Sequence, residues 1–266
     1  MSKSNAAQNI NGWIIIDKPT GITSSAVVNK IKWACSARKA GHAGTLDPSA
    51  TGILAIALGE ATKTIPYVTE QIKSYTFEVK WGEATDSDDS DGKIIKTSQM
   101  RPSEQDIIAI LPRFRGEIKQ TPPFFSAVKI NGRRAYELAR SGEDFDIASR
   151  SLFVSSLKLE KYISENSAIL SLECGKGGYV RSIARDLGLE LGCYGHVKWL
   201  RRIASGSFNL SMAHSLDTIL KLNKTSAVND FILPVEYGLS TIKHGTCTST
   251  AAEKIKNGNS APILCK

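Results

Sequence analysis

Residues 41–52 read Gly-His-Ala-Gly-Thr-Leu-Asp-Pro-Ser-Ala-Thr-Gly, and no other stretch so restricts the backbone. Gly41, Gly44 and Gly52 allow turns and close approaches that other residues resist, while Pro48 fixes the chain directly after Asp47. A basic helical stretch precedes the segment and an apolar strand follows it. The fold must therefore turn here and hold Asp47 and His42 at set positions. Taken alone, the same composition is also that of an ordinary turn closed by an Asx hydrogen bond.

The flanks alternate strands with helices. Trp13-Ile14-Ile15-Ile16 is a short buried strand, ended by the turn Asp17-Lys18-Pro19-Thr20-Gly21. Thr23, Ser24 and Ser25 are N-cap candidates for a helix whose apolar stripe is Val27, Val28, Ile31 and Ala34. Residues 53–58 form a second buried strand. From Tyr75 to Trp81 every second residue is apolar, which puts Tyr75, Phe77, Val79 and Trp81 on one sheet face. Asp86, Asp88, Asp89 and Asp91 crowd one loop. Its Gly92 is displaced and no Glu closes it, so it departs from a calcium-binding EF-hand and reads as a hairpin turn before a strand over 93–97.

A strand over 167–174, the turn Gly175-Lys176-Gly177-Gly178 and a helix opened by Tyr179 follow. The helix buries Val180, Ile183, Ala184, Leu187 and Leu191, which leaves Arg181 and Arg185, four apart, together on another face. Residues 196–202 are a short apolar-basic element ending Leu200-Arg201-Arg202. Hairpin-like pairs dominate the middle of the chain. They predict an α+β (mixed α/β) fold, a central and mostly antiparallel sheet flanked by helices.

The 266 residues suit one large domain with a sizeable core. Lys and Arg number 34 against 26 Asp and Glu, a net charge of +8 that favours a polyanionic partner, with nucleic acid first. Lysines that merely solvate a surface give the same excess. Between 112 and 142, Arg113, Arg115, Lys119, Lys129, Arg133, Arg134 and Arg140 are interleaved with Phe124, Phe125 and Tyr136. That mixture suits RNA phosphates and bases, and equally a surface insertion whose aromatics turn into the core. Residues 1–11 lack the apolar centre of a signal peptide and no run reaches membrane-spanning length, which predicts a cytoplasmic protein without membrane contact. The five cysteines are scattered, none forms a Cys-x-x-Cys pair, and the four histidines do not cluster with them, so neither a zinc site nor a disulfide framework is expected.

The candidate chemistry gathers on few residues: Asp47 in the rigid loop, His42 beside it, Arg181 after the glycine turn and Tyr75 at a strand start. No second acid occupies a comparable loop, which argues against a glycosidase-type pair. The sequence carries no Gly-x-Ser-x-Gly nucleophile turn, phosphate loop or dinucleotide fingerprint. An Asp paired with Arg stays ionised and oriented, which suits nucleophilic catalysis better than acid catalysis.

These residues fall into five ordered motifs, through which the chain resembles the bacterial TruB family of tRNA pseudouridine synthases from Gly12 to about Leu233. Gly12-Trp13 with 17–24 resembles the family's opening motif, and 41–48 with Ala50-Thr51-Gly52 matches its catalytic motif without a departure. Residues 120–127 and 132–140 resemble its RNA-binding insertion, and Gly178-Tyr179-Val180-Arg181-Ser182 and Leu200-Arg201-Arg202 complete the set.

The resemblance implies a pseudouridine synthase fold and conversion of uridine 55 to pseudouridine in the TΨC stem-loop of tRNA, without cofactor or metal. The target base is flipped out of its stack before it reacts. Asp47 is then the catalytic nucleophile and Arg181 its ion-pair partner. Tyr75 stacks on the uracil and assists proton removal, Tyr179 and Leu200 wall the pocket, and His42 fills the space that the base leaves. Arg133, Arg134, Arg201 and Arg202 are expected to contact the RNA backbone, and Lys18 to give structural support.

Residues 1–232 are expected to form the catalytic domain of a monomer, including the basic insertion at about 112–142. Residues 233–266 are expected to be a short remnant of an RNA-binding PUA domain. Three other readings stand beside this one: a guide-dependent dyskerin-like enzyme, a ribosomal-RNA pseudouridine synthase and an RNA-folding chaperone.

Overall fold

The computed structural model describes residues 10–223 and 225–265, so residues 1–9 of the signal-peptide reading and Lys266 lie outside the described residues. Strand β1 (Gly12–Lys18) leads to helix α1 (Ser24–Ala34), β2 (Ala40–His42) and β3 (Thr51–Leu58). Helix α2 (Ile65–Glu70), β4 (Lys73–Trp81) and the hairpin β5 (Glu83–Thr85) and β6 (Ile94–Thr97) follow. Then come α3 (Glu104–Ile110), β7 (Gly116–Gln120), β8 (Lys129–Ile130), β9 (Arg133–Arg134) and α4 (Ala135–Ser141). The long hairpin β10 (Arg150–Ser164) and β11 (Ser167–Cys174) precedes α5 (Val180–Glu190) and β12 (Gly195–Ser205). The remaining elements are β13 (Phe208–Asn209), β14 (His214–Ser215), α6 (Leu216–Lys221), β15 (Gly245–Thr246), α7 (Ser249–Lys256) and β16 (Leu264–Cys265).

Among the described residues the main sheet has ten strands in the order β14-β1-β3-β12-β4-β11-β10-β7, with β2 on β3 and β13 on β12. Its pairs are antiparallel except β1–β14 and β12–β3, as expected of a mostly antiparallel sheet. The 196–202 element is the middle of a central strand.

The two halves of the sheet are buried differently, and the sequence patterns follow from that. One face of β1 and β3, with Ile14, Ile16, Leu54 and Ile56, packs under α1 and α6. Their other face, with Trp13, Ile15, Ile53 and Ala55, packs on Val68 and Phe208. Burial on both faces requires unbroken apolar runs. By contrast β4 has an apolar core on one face only: Tyr75, Phe77, Val79 and Trp81 lie against Ile183, Ala184 and Leu187 of α5. The opposite face is polar. Glu78 there is 5% exposed and accepts from Lys198 Nζ at 2.9 Å and Trp199 Nε1 at 2.6 Å.

The halves meet where β3 and β12 run parallel over two residue pairs, Arg201 opposite Thr51 and Arg202 opposite Gly52. Gly52 has φ +99°, and a Cβ there would sit 2.1 Å from the Arg202 carbonyl oxygen. Gly52→Ala is therefore expected to destabilise the protein by more than ~2 kcal/mol, through strained backbone and a forced strand separation. Chemical denaturation measures this, and an unchanged midpoint would refute the close approach.

Two expected boundaries shift. Residues 112–120 are part of the body and not of a projecting insertion, because Leu111 and Phe114 are core residues and β7 pairs with β10. Arg115 is spent on the Leu157 carbonyl, at 3.1 and 2.7 Å, and Arg113 pairs with Glu190 at 2.7 Å. At the other end, residues past the expected 232/233 junction still pack on β1. Trp13 and Leu233 exchange backbone hydrogen bonds of 2.8 and 2.7 Å, and Trp13 Nε1 donates to the Val235 carbonyl at 3.3 Å.

Candidate active site

The glycine-rich loop is held by the turn that follows β1. Lys18 is fully buried, and its Nζ donates to the carbonyls of Pro19, Ile22 and Pro48 at 2.9, 2.8 and 3.0 Å. Burial lowers the Lys18 ammonium to about 8, with the Asp47 charge opposing that shift. Ser24 Oγ donates to the Leu46 carbonyl and accepts from the Leu46 N–H, both at 2.9 Å. Thr20 Oγ1 reaches the Ser49 carbonyl at 3.1 Å, and the Gly21 N–H reaches the Pro48 carbonyl at 2.8 Å. Four residues of the first turn thus fix the backbone on both sides of Asp47. Two segments distant from each other in pattern are one structural unit.

Arg181, in the first turn of α5, reaches Asp47 from the opposite side. Its Nε lies 2.9 Å from Asp47 Oδ2, and its Nη2 donates to Oδ1 at 3.1 Å. The arginine side chain is 6% exposed and the aspartate side chain 36%, so the cation is enclosed while one side of the carboxylate faces solvent. Arg181 also donates to the Ser87 and Phe125 carbonyls, at 2.9 and 3.0 Å. It joins the catalytic loop, the acidic loop and the start of the insertion.

The acidic loop does more than its hairpin-turn reading implies. Residues 88–90 run beside β12, with Val197 N–H donating to the Asp88 carbonyl and Ser90 N–H to the Val197 carbonyl, both at 3.0 Å. Asp88 and Asp89 are each 9% exposed. Asp89 Oδ2 lies 3.6 Å from Arg181 Nε, and Asp88 Oδ2 accepts from Arg185 Nη1 at 2.9 Å. Burial raises the Asp88 carboxyl to about 6 and raises Asp89 as well. The face shared by Arg181 and Arg185 is therefore turned toward these acids. Sequence reasoning missed them; the available signal was two arginines four apart and two adjacent aspartates, with nothing to pair them.

Of the remaining predicted residues, Tyr75 and Tyr179 lie near enough to Asp47 to feel its charge. Tyr75 is 8% exposed on β4, opposite Arg202 of β12 and Leu172 of β11. Burial raises its phenol, and both Arg202 and Asp47 act on it. Leu200 lies opposite Phe77, and its carbonyl accepts from Thr51 Oγ1 at 3.3 Å. Tyr179 precedes α5 and is fixed by Gln120, which accepts from its N–H at 2.9 Å and donates to its carbonyl at 3.1 Å. Burial raises the Tyr179 phenol, which feels both Arg181 and Asp47. His42 lies opposite Ile56, and burial with the Arg202 charge lowers its imidazole, so the ring is neutral at neutral pH. Among the described residues no group of three or more His, Cys, Asp or Glu could hold a metal ion.

The four expected phosphate contacts divide. Arg202 is corrected: it is 1% exposed and donates to the Ile53 and Gly44 carbonyls at 2.7 and 3.0 Å, out of reach of any phosphate. Neighbours in a strand point to opposite faces, so Arg201 faces outward and grips Asp17 at 3.0 and 2.7 Å. Arg133 is exposed and paired with Glu143 at 2.9 Å. Exposed Arg134 donates to the Ala127 carbonyl.

Comparisons with known proteins give the family. Residues 32–180 match the family model for the N-terminal domain of TruB family pseudouridylate synthases. Residues 181–240 match that for the tRNA pseudouridylate synthase B C-terminal domain. The tRNA pseudouridine synthase B of Ruegeria pomeroyi is 51% identical over 97% of this chain and 86% of its own length. That of Dinoroseobacter shibae is 52% identical over 97% and 85%, and that of Bartonella tribocorum 45% over 96% and 84%. Among solved structures, a Cbf5-Nop10-Gar1 complex contains a chain that superposes with a TM-score of 0.73 at 27% identity, covering 93% of this chain and 67% of that one.

Proposed function

The chain belongs to the TruB family of pseudouridylate synthases, and on that premise we propose that it converts uridine 55 of tRNA to pseudouridine in the TΨC arm. The observation that carries the reading is the Asp47–Arg181 pair, an enclosed guanidinium orienting a carboxylate that is 36% exposed. Relatives at 50% identity or more are named for tRNA, which favours a free tRNA substrate over the guide-dependent alternative.

In this reading the stacked uridine is flipped out and lies between Asp47 and the Tyr75 ring. Asp47 attacks the nucleoside and the N1–C1′ bond breaks, its electron pair leaving on the uracil. The uracil rotates, C5 bonds to C1′, and the bond to Asp47 breaks to return the free carboxylate. The C5 proton then leaves, its bonding pair restores the ring double bond, and N1 gains a proton. Tyr179 and Leu200 wall the pocket, and neutral His42 occupies the gap in the RNA. The protein acts as a monomer in the cytoplasm; no helix among the described residues is long and apolar enough to cross a membrane. Incubation with unmodified tRNA followed by mapping of pseudouridine tests reaction and position together. Modification at position 55 is expected, and its absence there, or modification only elsewhere, would refute the assignment.

Arg133, once RNA displaces Glu143, and Arg134, both exposed on β9 of the insertion, then contact phosphates. Replacing both with Gln is expected to weaken tRNA binding and lower the slope of log affinity against log salt by about 1–2, one unit for each lost contact. An unchanged slope would remove them from the phosphate contacts.

A further inference from the structure

Arg202 differs from the other enclosed arginine. Arg181 faces Asp47 and Asp89, whereas no carboxylate among the described residues lies within ion-pairing distance of Arg202, which is 1% exposed. Its guanidinium is met by carbonyl dipoles instead, Ile53 at 2.7 Å and Gly44 at 3.0 Å, and its charge favours the ionised Tyr75 phenol. Removing a cation from water without an anion is costly, and dipoles offset only part of that cost. What is left is a standing attraction for negative charge that forms beside it.

The geometry singles out where that charge forms. Tyr75 and Arg202 are direct cross-strand partners, so their side chains share one sheet face. From β11, Tyr75 is faced by Cys174, whose thiol burial pushes up to about 12 and keeps neutral. From the glycine-rich loop it is faced by Asp47, whose charge opposes ionisation of the phenol. Arg202 is the positive charge set against burial and Asp47 together. The same guanidinium holds the Gly44 carbonyl, three residues before Asp47, where φ is +89°.

We propose that Arg202 is a positioning residue of the isomerisation: it ties Tyr75 to the Gly44 turn of the Asp47 loop and stabilises the Tyr75 oxygen as the acceptor of the C5 proton. This rests on the pseudouridine reading above. Tyr75 releases its hydroxyl proton to water, and the resulting phenolate takes the proton from C5. The C5–H bonding pair restores the C5–C6 double bond, and N1 takes a proton from water.

The test compares Arg202→Met and Arg202→Lys, each with Tyr75 and with Tyr75→Phe, by single-turnover pseudouridine formation across pH, tRNA binding and thermal unfolding. Arg202→Met is expected to bind tRNA within about threefold of wild type and to react ~100-fold more slowly. The pH at which its rate levels off should lie above the wild-type value, since the phenol then ionises without the guanidinium. Arg202→Lys keeps the charge and should show the wild-type pH profile with about a tenth of the rate or more. In the Tyr75→Phe background either change should cost less than about threefold further.

A Met variant with the wild-type pH profile, or a loss that multiplies fully with Tyr75→Phe, would overturn the proposal. Should Arg202→Met fail to fold, the Lys variant decides by the same cycle: a loss independent of Tyr75 overturns it. Wild-type protein that forms no pseudouridine would refute the underlying reading instead.

Discussion

Asp47→Asn is expected to form no measurable pseudouridine, a loss of at least ~10⁴-fold in the single-turnover rate, because a neutral amide cannot replace the attacking carboxylate. Affinity for tRNA should stay within about tenfold. The loop backbone is held by Lys18, Thr20, Gly21 and Ser24, none of which bonds to the Asp47 side chain. The Asn oxygen can still accept from Arg181 Nη2, now 3.1 Å from Asp47 Oδ1. A variant that binds normally and does not react therefore separates chemistry from recognition. Release of tritium from 5-tritiated uridine in tRNA measures the rate. Turnover within about a hundredfold of wild type would end the nucleophile assignment.

Arg181→Met should lower both activity and stability. Arg181 is 6% exposed and serves Asp47, Asp89 and the carbonyls of Ser87 and Phe125, so its removal takes the counter-charge from two acids and the donor from Asp47 and two carbonyls. Breaking a buried pair from one side costs about 3–5 kcal/mol. Water that reaches the open side of Asp47 should keep the cost near about 3 kcal/mol. The rate is expected to fall ~10²–10³-fold as Asp47 loses its orientation. Arg181→Lys distinguishes the two losses. A lysine restores charge, and so part of the stability, but one ammonium cannot span four acceptors, and the rate should remain low. Denaturant unfolding and single-turnover kinetics on both variants measure this. A Lys variant with wild-type rate would show that charge alone suffices.

Local pattern was enough wherever a residue's role depends on its own neighbours in the chain. The alternation from Tyr75 to Trp81 required a sheet with one buried face, and the unbroken run at Trp13–Ile16 required burial on both. The glycines and Pro48 placed Asp47 on a rigid turn, and the helical stripe after Tyr179 placed Arg181 at a helix start. The motif resemblance joined these two residues, and the structure brings their side chains to 2.9 Å.

Tertiary structure decided whatever depends on which strands become neighbours. Arg201 and Arg202 are alike in sequence, yet the pleat of β12 sends one outward to Asp17 and the other inward to Gly44. The acidic loop reads as a hairpin turn until residues 88–90 align beside β12 and bring Asp88 and Asp89 to the arginines of α5. The basic stretch from 112 reads as one insertion until β7 joins the sheet edge and takes its first part into the body. Periodicity therefore determined which face each residue turns toward a core, because burial acts on every residue through its own segment. Partner identity lies in register and strand order, which arise only when distant segments pair, and the surroundings of Asp47 are made of such pairings.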